Sequence, residues 1–192
     1  MARLQTALQD FEHKDQIEIT YRSYELSPNA EAGSKDSIYE SVARKQNASI
    51  MDVMESYSQI AEAGRQAGLA FDMDMIIPTN TFDALRLSHY AKESGKQVAL
   101  MKRLFEAHFA EGIDVADHQE LVRLAKEAGL DEEGALAVLE SSTYKEEVIG
   151  DHASAALMGI NSIPYYVINE KYGLSGAQSP ADFLDALRQA SE

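Results

Sequence analysis

Apolar residues recur at helical spacing from the first turn of the chain, at Leu4, Ala7, Leu8 and Phe11, with no capping residue ahead of them to accept the free backbone N–H groups. After the polar break Glu12-His13-Lys14-Asp15, the residues Ile17, Ile19 and Tyr21 alternate with Glu18, Thr20 and Arg22. This pattern predicts a half-buried strand continuing to Leu26 and stopped by Ser27-Pro28-Asn29. Ser37 and Glu40 have capping-box spacing and predict a helix to about Lys45, while Ser49 with Asp52 starts a second one ending at Gly68. Phe71, Met73 and Met75 alternate with Asp72 and Asp74, an extended stretch closed by Pro78. Thr81 is then expected to cap a helix through Ser94, with Gly95 as its stop. Val98, Met101, Leu104, Phe105 and Phe109 form the stripe of the next helix, and Asp117 and Asp131 begin two more.

Thr143-Tyr144-Lys145-Glu146 opens a helix that leads to Gly159. Beyond it, Pro164 precedes the β-branched and aromatic run Tyr165-Tyr166-Val167-Ile168; a proline without an N–H cannot sit inside a ladder, so it stands at the strand's entrance. A turn follows at Asn169-Glu170, then a short final strand and bend over Leu174 to Gln178. Ser179-Pro180 supplies the cap and first residue of a closing helix with Phe183, Leu184 and Leu187 on its buried face. The order is α, β, a block of about five to six helices, then β-β-α, an α/β chain with a large helical insertion.

Composition narrows the function classes. The 192 residues include 17 basic against 32 acidic side chains, a formal charge of −15, which repels nucleic-acid phosphates and anionic membrane surfaces. No run approaches the ~18 consecutive apolar residues of a membrane span, and the first residues lack the apolar core of a secretory signal. A cytoplasmic protein is expected. There is no cysteine, which excludes structural disulfides and thiolate metal sites.

Four blocks, in order, carry a resemblance: Tyr24-Glu25-Leu26-Ser27-Pro28-Asn29, Pro78-Thr79-Asn80-Thr81-Phe82-Asp83-Ala84, Ser162-Ile163-Pro164 before the Tyr165 strand, and Leu174-Ser175-Gly176-Ala177-Gln178. Together they resemble the DsbA-like branch of the thioredoxin superfamily, and within it the cytoplasmic FrnE-type dithiol-disulfide isomerases. The resemblance spans essentially the whole chain and implies a single domain, with a thioredoxin-like part at residues 1–33 and 145–192 and a helical insertion at 34–144. It departs at the front. Members of the family begin with an interior strand and a Cys-Pro-x-Cys turn at a helix N-terminus, where the peptide dipoles stabilise a thiolate. This chain is similar only from Arg3-Leu4-Gln5-Thr6-Ala7-Leu8 onward, so the first strand is missing and no catalytic residue carries over. The gap has two readings, a shortened form of a longer protein or a thiol-free member beginning at Met1. The uncapped helix start and the missing interior strand favour the first.

What the resemblance implies for function is thiol-disulfide exchange in an intact relative, with this cysteine-free chain expected to be redox-inactive. Ser162, Ile163 and Pro164 are then the substrate-binding residues, holding a polypeptide or small thiol substrate by its main chain. Only ~5–6% of X–Pro bonds are cis, so the expectation that Pro164 is cis rests on the resemblance. Asn80, Thr81 and His152 are candidate cleft-lining residues. An unpaired sheet edge could also recruit a second copy into a homodimer. The alternatives are a glutathione-dependent isomerase or transferase similar to hydroxychromene-carboxylate isomerase, with glutathione as its cofactor, and a peptide-binding module without chemistry.

The remaining candidates have plainer readings. His13, His89, His108, His118 and His152 include no i, i+4 pair of the kind that holds a helical metal, and surface or capping roles are expected for them. Neither a metal nor a nucleotide is implied; Gly173 and Gly176 lack the strand-loop-helix setting of a phosphate site. Met51, Met54, Met73, Met75 and Met101 could line an adaptable peptide groove, with core packing as the default.

Overall fold

The computed structural model describes residues 1–191. Its elements in chain order are α1 (Ala2–Gln9), α2 (Ile38–Gln46), α3 (Ile50–Gln66), α4 (Phe82–Glu93), α5 (Gln97–Ala110), α6 (His118–Glu127), α7 (Glu132–Leu139), α8 (Lys145–Leu157), β1 (Tyr165–Ile168), β2 (Tyr172–Ser175) and α9 (Pro180–Ala190), with 3₁₀ turns at Lys14–Gln16 and Met73–Met75. The chain divides into two compact units. Met1–Ile19 joins the segment from Ala153 as a sheet unit, and Thr20–His152 forms a helical unit. The helical unit therefore takes in residues from Thr20, ahead of Ser34.

In the sheet unit, β1 and β2 form an antiparallel hairpin in the register Tyr165 opposite Ser175 and Ile168 opposite Tyr172. Asn169 and Glu170 turn the chain with φ of 51° and 57°, and the Lys171 N–H donates to the Ile168 carbonyl. Leu4, Ala7 and Phe11 of the α1 segment pack with Phe183 and Leu187 of α9, and Tyr166, Ile168 and Leu174 lie against this core. The Tyr166 ring meets Phe183 edge-on at 4.8 Å. α9 starts where its sequence dictates: the Asp182 N–H donates to Ser179 Oγ, the Asp182 carboxylate accepts from the Ser179 N–H, and Pro180 occupies the first helical position. α1 starts without a side-chain cap, as its composition implies. On the hairpin's other side, Val167 is exposed. The Tyr165 ring lies across Gly173, so closely that a Cβ at 173 would stand 2.1 Å from its hydroxyl.

The helical unit is built on one continuous core. Leu87 and Ala91 of α4, Leu100 and Leu104 of α5, Leu121 and Leu124 of α6, and Ala135 and Leu139 of α7 are all within it. Local caps set the helix starts: Ser37 with Glu40 makes the expected capping box on α2, and Ser49, Asp117 and Asp131 each accept first-turn N–H groups. Thr81 departs from expectation. It stands at the start of α4 without a side-chain bond, and Asn80 Oδ1 accepts the Phe82 N–H at 2.8 Å instead.

Two predicted extended stretches take other forms. Residues 17–26 form no strand, although the burial alternates from Ile17 to Ser23 as predicted. The reason is the ladder: among the described residues β1 and β2 pair only with each other. At Tyr21 a side-chain amide stands in for a neighbouring strand, with Gln97 Oε1 accepting the Tyr21 N–H at 3.0 Å and Gln97 Nε2 donating to the Tyr21 carbonyl at 3.1 Å. The predicted extension at Phe71–Met75 instead contains a 3₁₀ turn, because Asp72 Oδ1 accepts the Asp74 N–H and closes a local loop. The Phe71 ring presses on Gly64 of α3, where a Cβ would be 2.5 Å from the ring. Glycine is what allows that approach. The final strand also lies earlier than its predicted start at Leu174, at Tyr172–Ser175.

Candidate functional site

α8 ends in a left-handed Gly159 with φ of 70°, and the Ile160 N–H reaches back to the Ala155 carbonyl at 2.9 Å, a glycine-terminated helix end. The chain then passes through Asn161, Ser162, Ile163 and Pro164, all exposed, into β1. The Ile163–Pro164 peptide bond is cis. The Pro164 carbonyl accepts the Gly176 N–H at 2.8 Å, one step past the Tyr165–Ser175 pair, which ties the loop to the open end of the hairpin. Among the described residues the main chain of Ser162 and of Ile163 makes no hydrogen bond. Leu157, Met158 and Ile163 add exposed apolar side chains to this end of the sheet unit, Leu157 being 90% exposed.

The other candidates lie in the helical unit. Asn80 is occupied structurally: its Nδ2 donates to the Pro28 and Ala30 carbonyls at 3.2 and 3.3 Å, while its Oδ1 serves α4. Thr81 is the next residue, at the helix start. His152 is exposed and stacks on the Tyr24 ring at 5.0 Å. Burial pushes the nearby Glu25 carboxyl up, and His152 opposes that shift. Asn80 and His152 thus hold different parts of the 20–30 segment.

Sequence reasoning missed the polar interior of this unit. Asp151 is buried and accepts from Arg22 Nη1 at 3.0 Å and from the Ser23 N–H at 2.7 Å. His89, expected at the surface or as a cap, is 8% exposed. Its Nε2 lies 3.0 Å from Ser23 Oγ and 3.3 Å from Asp151 Oδ2. A Ser-His-Asp relay needs the hydroxyl and the carboxylate on opposite ring nitrogens. Here both sit on one, so the cluster anchors the Ser23 backbone and the Arg22 side chain and does not activate a nucleophile. Buried Arg86 reaches the Thr143 carbonyl at 2.8 Å, Asp83 at 2.7 Å and the carbonyls of Val138 and Ser141. It closes the C-terminal end of α7, and Asp83 in turn holds His118 at 2.7 Å. Burial lowers the affinity of the His108 imidazole for a proton. Among the described residues no three His, Asp or Glu side chains converge as a metal site, and no helix is long and apolar enough to cross a membrane.

The methionines divide. Met73 and Met101 are buried, as the core default requires, whereas Met51, Met54 and Met75 are exposed. No local pattern distinguishes the two sets, because the partner that covers a methionine comes from elsewhere in the chain.

The chain matches the DSBA-like thioredoxin domain over residues 2–188. It is similar to a solved structure described as "probable DsbA oxidoreductase" from Streptomyces coelicolor, with 34% identity, a TM-score of 0.92, and coverage of 99% of this chain and 82% of that one. A second structure, "putative protein disulfide isomerase" from Nitrosomonas europaea, shares the fold with 18% identity and a TM-score of 0.57 over 73% of this chain and 71% of its own. No curated protein matches. A thioredoxin-like fold carrying a helical insertion, matched over almost its full length, places this chain in the family of DSBA-like thioredoxin domains, that of the DsbA-like thiol-disulfide oxidoreductases.

Proposed function

We propose that this chain is a FrnE-type, cytoplasmic member of the family that receives an extended polypeptide at Ser162, Ile163 and Pro164 and carries out no disulfide turnover by itself. The observation that carries the reading is the exposed 161–164 loop, in which the Ser162 and Ile163 main-chain groups have no partner among the described residues. An incoming strand can bond to these groups and continue along the edge of β1 that no described strand pairs with, each bond contributing about 0.5–1.5 kcal/mol. Exposed Ile163 and Val167 supply apolar contacts on the way. Thiol-disulfide exchange begins with a thiolate attacking a disulfide sulfur and passes through a mixed disulfide. A chain with no cysteine supplies neither sulfur.

The test uses a reduced, alkylated, unfolded polypeptide as the probe. Saturable binding is expected, weakened about tenfold by Ile163→Asp, alongside insulin reduction no faster than in buffer. Equal binding by the variant, or cysteine-independent turnover, defeats the reading. Saturable binding of glutathione in place of the polypeptide redirects it to the isomerase and transferase class.

A further inference from the structure

We infer that the flank of α3 beside the turn at residues 71–75, together with that turn, is a docking surface for a basic amphipathic helix of a partner protein. The surface belongs to the helical unit, and the polypeptide-binding loop proposed above to the sheet unit. α3 has 17 residues, yet only Val53 and Gly64 are buried. Its outward face is polar, with Asp52, Glu55, Gln59, Glu62 and Gln66, but the flank toward residues 71–75 carries exposed apolar side chains instead. Met51 is 81% exposed, Met54 49% and Met75 51%, with Ile50 similarly open. Met54, Ser58 and Ala61, spaced i, i+4 and i+7, line one wall of an open depression whose opposite wall is Phe71 and Met73. Unbranched thioethers adapt to varied apolar anchors, and a groove beside a helix accepts a second helix through side chains at i, i+3, i+4 and i+7.

Charge decides the occupant. Tyr39, Asp72 and Asp74 border the depression, and the Tyr39 hydroxyl donates to Asp74 Oδ1 at 2.7 Å. Burial and then the adjoining carboxylates push the Tyr39 phenol up to about 12, consistent with a negative field at this end. The neighbouring cations are already engaged: Arg44 with Asp36, Arg65 with Glu62, and Lys45 with the Leu26 carbonyl and Ser27. Asp52, Asp72 and Asp74 form no ion pair among the described residues. A second copy would bring the same acidic rim and another −15 charges, so like charges would meet. A helix with lysine or arginine beside its apolar stripe places cations against Asp72 and Asp74 and apolar anchors against the methionines.

The full chain with methyl-labelled methionine tests this, because its methionines report on separate places. Met51, Met54 and Met75 lie on the proposed surface, Met101 in the core and Met158 in the sheet unit. The probe is a short leucine-lysine peptide of helical period, and its leucine-glutamate counterpart is the control. Saturable shifts of the Met51, Met54 and Met75 methyl signals are expected with the lysine peptide, while Met101 and Met158 hold still. Met54→Lys should weaken binding about tenfold and Asp72→Asn with Asp74→Asn about threefold. Both sites lie on exposed positions, so folding is checked by the unshifted Met101 signal. The proposal is overturned by no shift, by equal shifts with the glutamate peptide, by unchanged affinity in Met54→Lys, or by concentration-dependent shifts without peptide, which would make the occupant a second copy.

Discussion

The helical unit buries Arg86, His89, Gln97 and Asp151 along with its leucines, whereas every fully covered side chain described in the sheet unit is apolar. The difference follows from where backbone groups find partners. In the sheet unit the hairpin ladder and the Ser179–Asp182 capping box satisfy them locally. The helical unit contains the extended 20–26 segment and the irregular end of α7, whose N–H and carbonyl groups have no ladder. Side chains from distant positions must reach them. Burying polar groups is favourable only when each has a partner, and Gln97, Asp151 and Arg86 bring those partners inside.

Arg86→Ala should break this arrangement most severely. It removes the guanidinium that the Val138, Ser141 and Thr143 carbonyls and Asp83 share, and a loss of about 3–5 kcal/mol in urea unfolding is expected. Phe183→Ala probes the apolar strategy of the sheet unit. Removing that ring from between Tyr166 and α1 should cost about 3–4 kcal/mol, read as lost amide protection in α9 and β1. Gln97→Leu keeps the volume and deletes the substitute ladder at Tyr21. A loss of about 1–3 kcal/mol with fast exchange of the Tyr21 amide is expected, and slow exchange would show that the side-chain amide is dispensable. Ser179→Ala removes a cap from the sheet unit and should cost about 1 kcal/mol.

The smallest effect concerns pH. Burial lowers the His108 pKa below its ordinary 6.5, with Asp114 opposing. The unfolded chain therefore binds the proton more readily, and stability present above pH 6.5 is lost as pH falls below that value. His108→Gln should flatten this slope between neutral and mildly acidic pH in thermal unfolding.

Which features were legible in the sequence follows the same division between local and distant partners. Ser37, Ser49, Asp117, Asp131 and Ser179 could be read as helix starts because a cap bonds within three residues of itself. Residues 17–26 carry the alternation of a strand and take its burial, but a ladder needs a second strand that the segment cannot specify. Thr81 and Asn80 both have the chemistry of a cap; their order in the loop, with Asn80 also tied to Pro28 and Ala30, decided between them. The exposed loop at Ser162–Pro164 was legible as a strand entrance, while the burial of His89 and the exposure of Met51 depend on elements far away in the chain.

The phenol of Tyr165 occupies the space a side chain at position 173 would need. Alanine there would evict the ring and turn its hydroxyl toward water, so one methyl group at a hairpin position decides whether that surface offers a flat aromatic plate or a bare stretch of peptide.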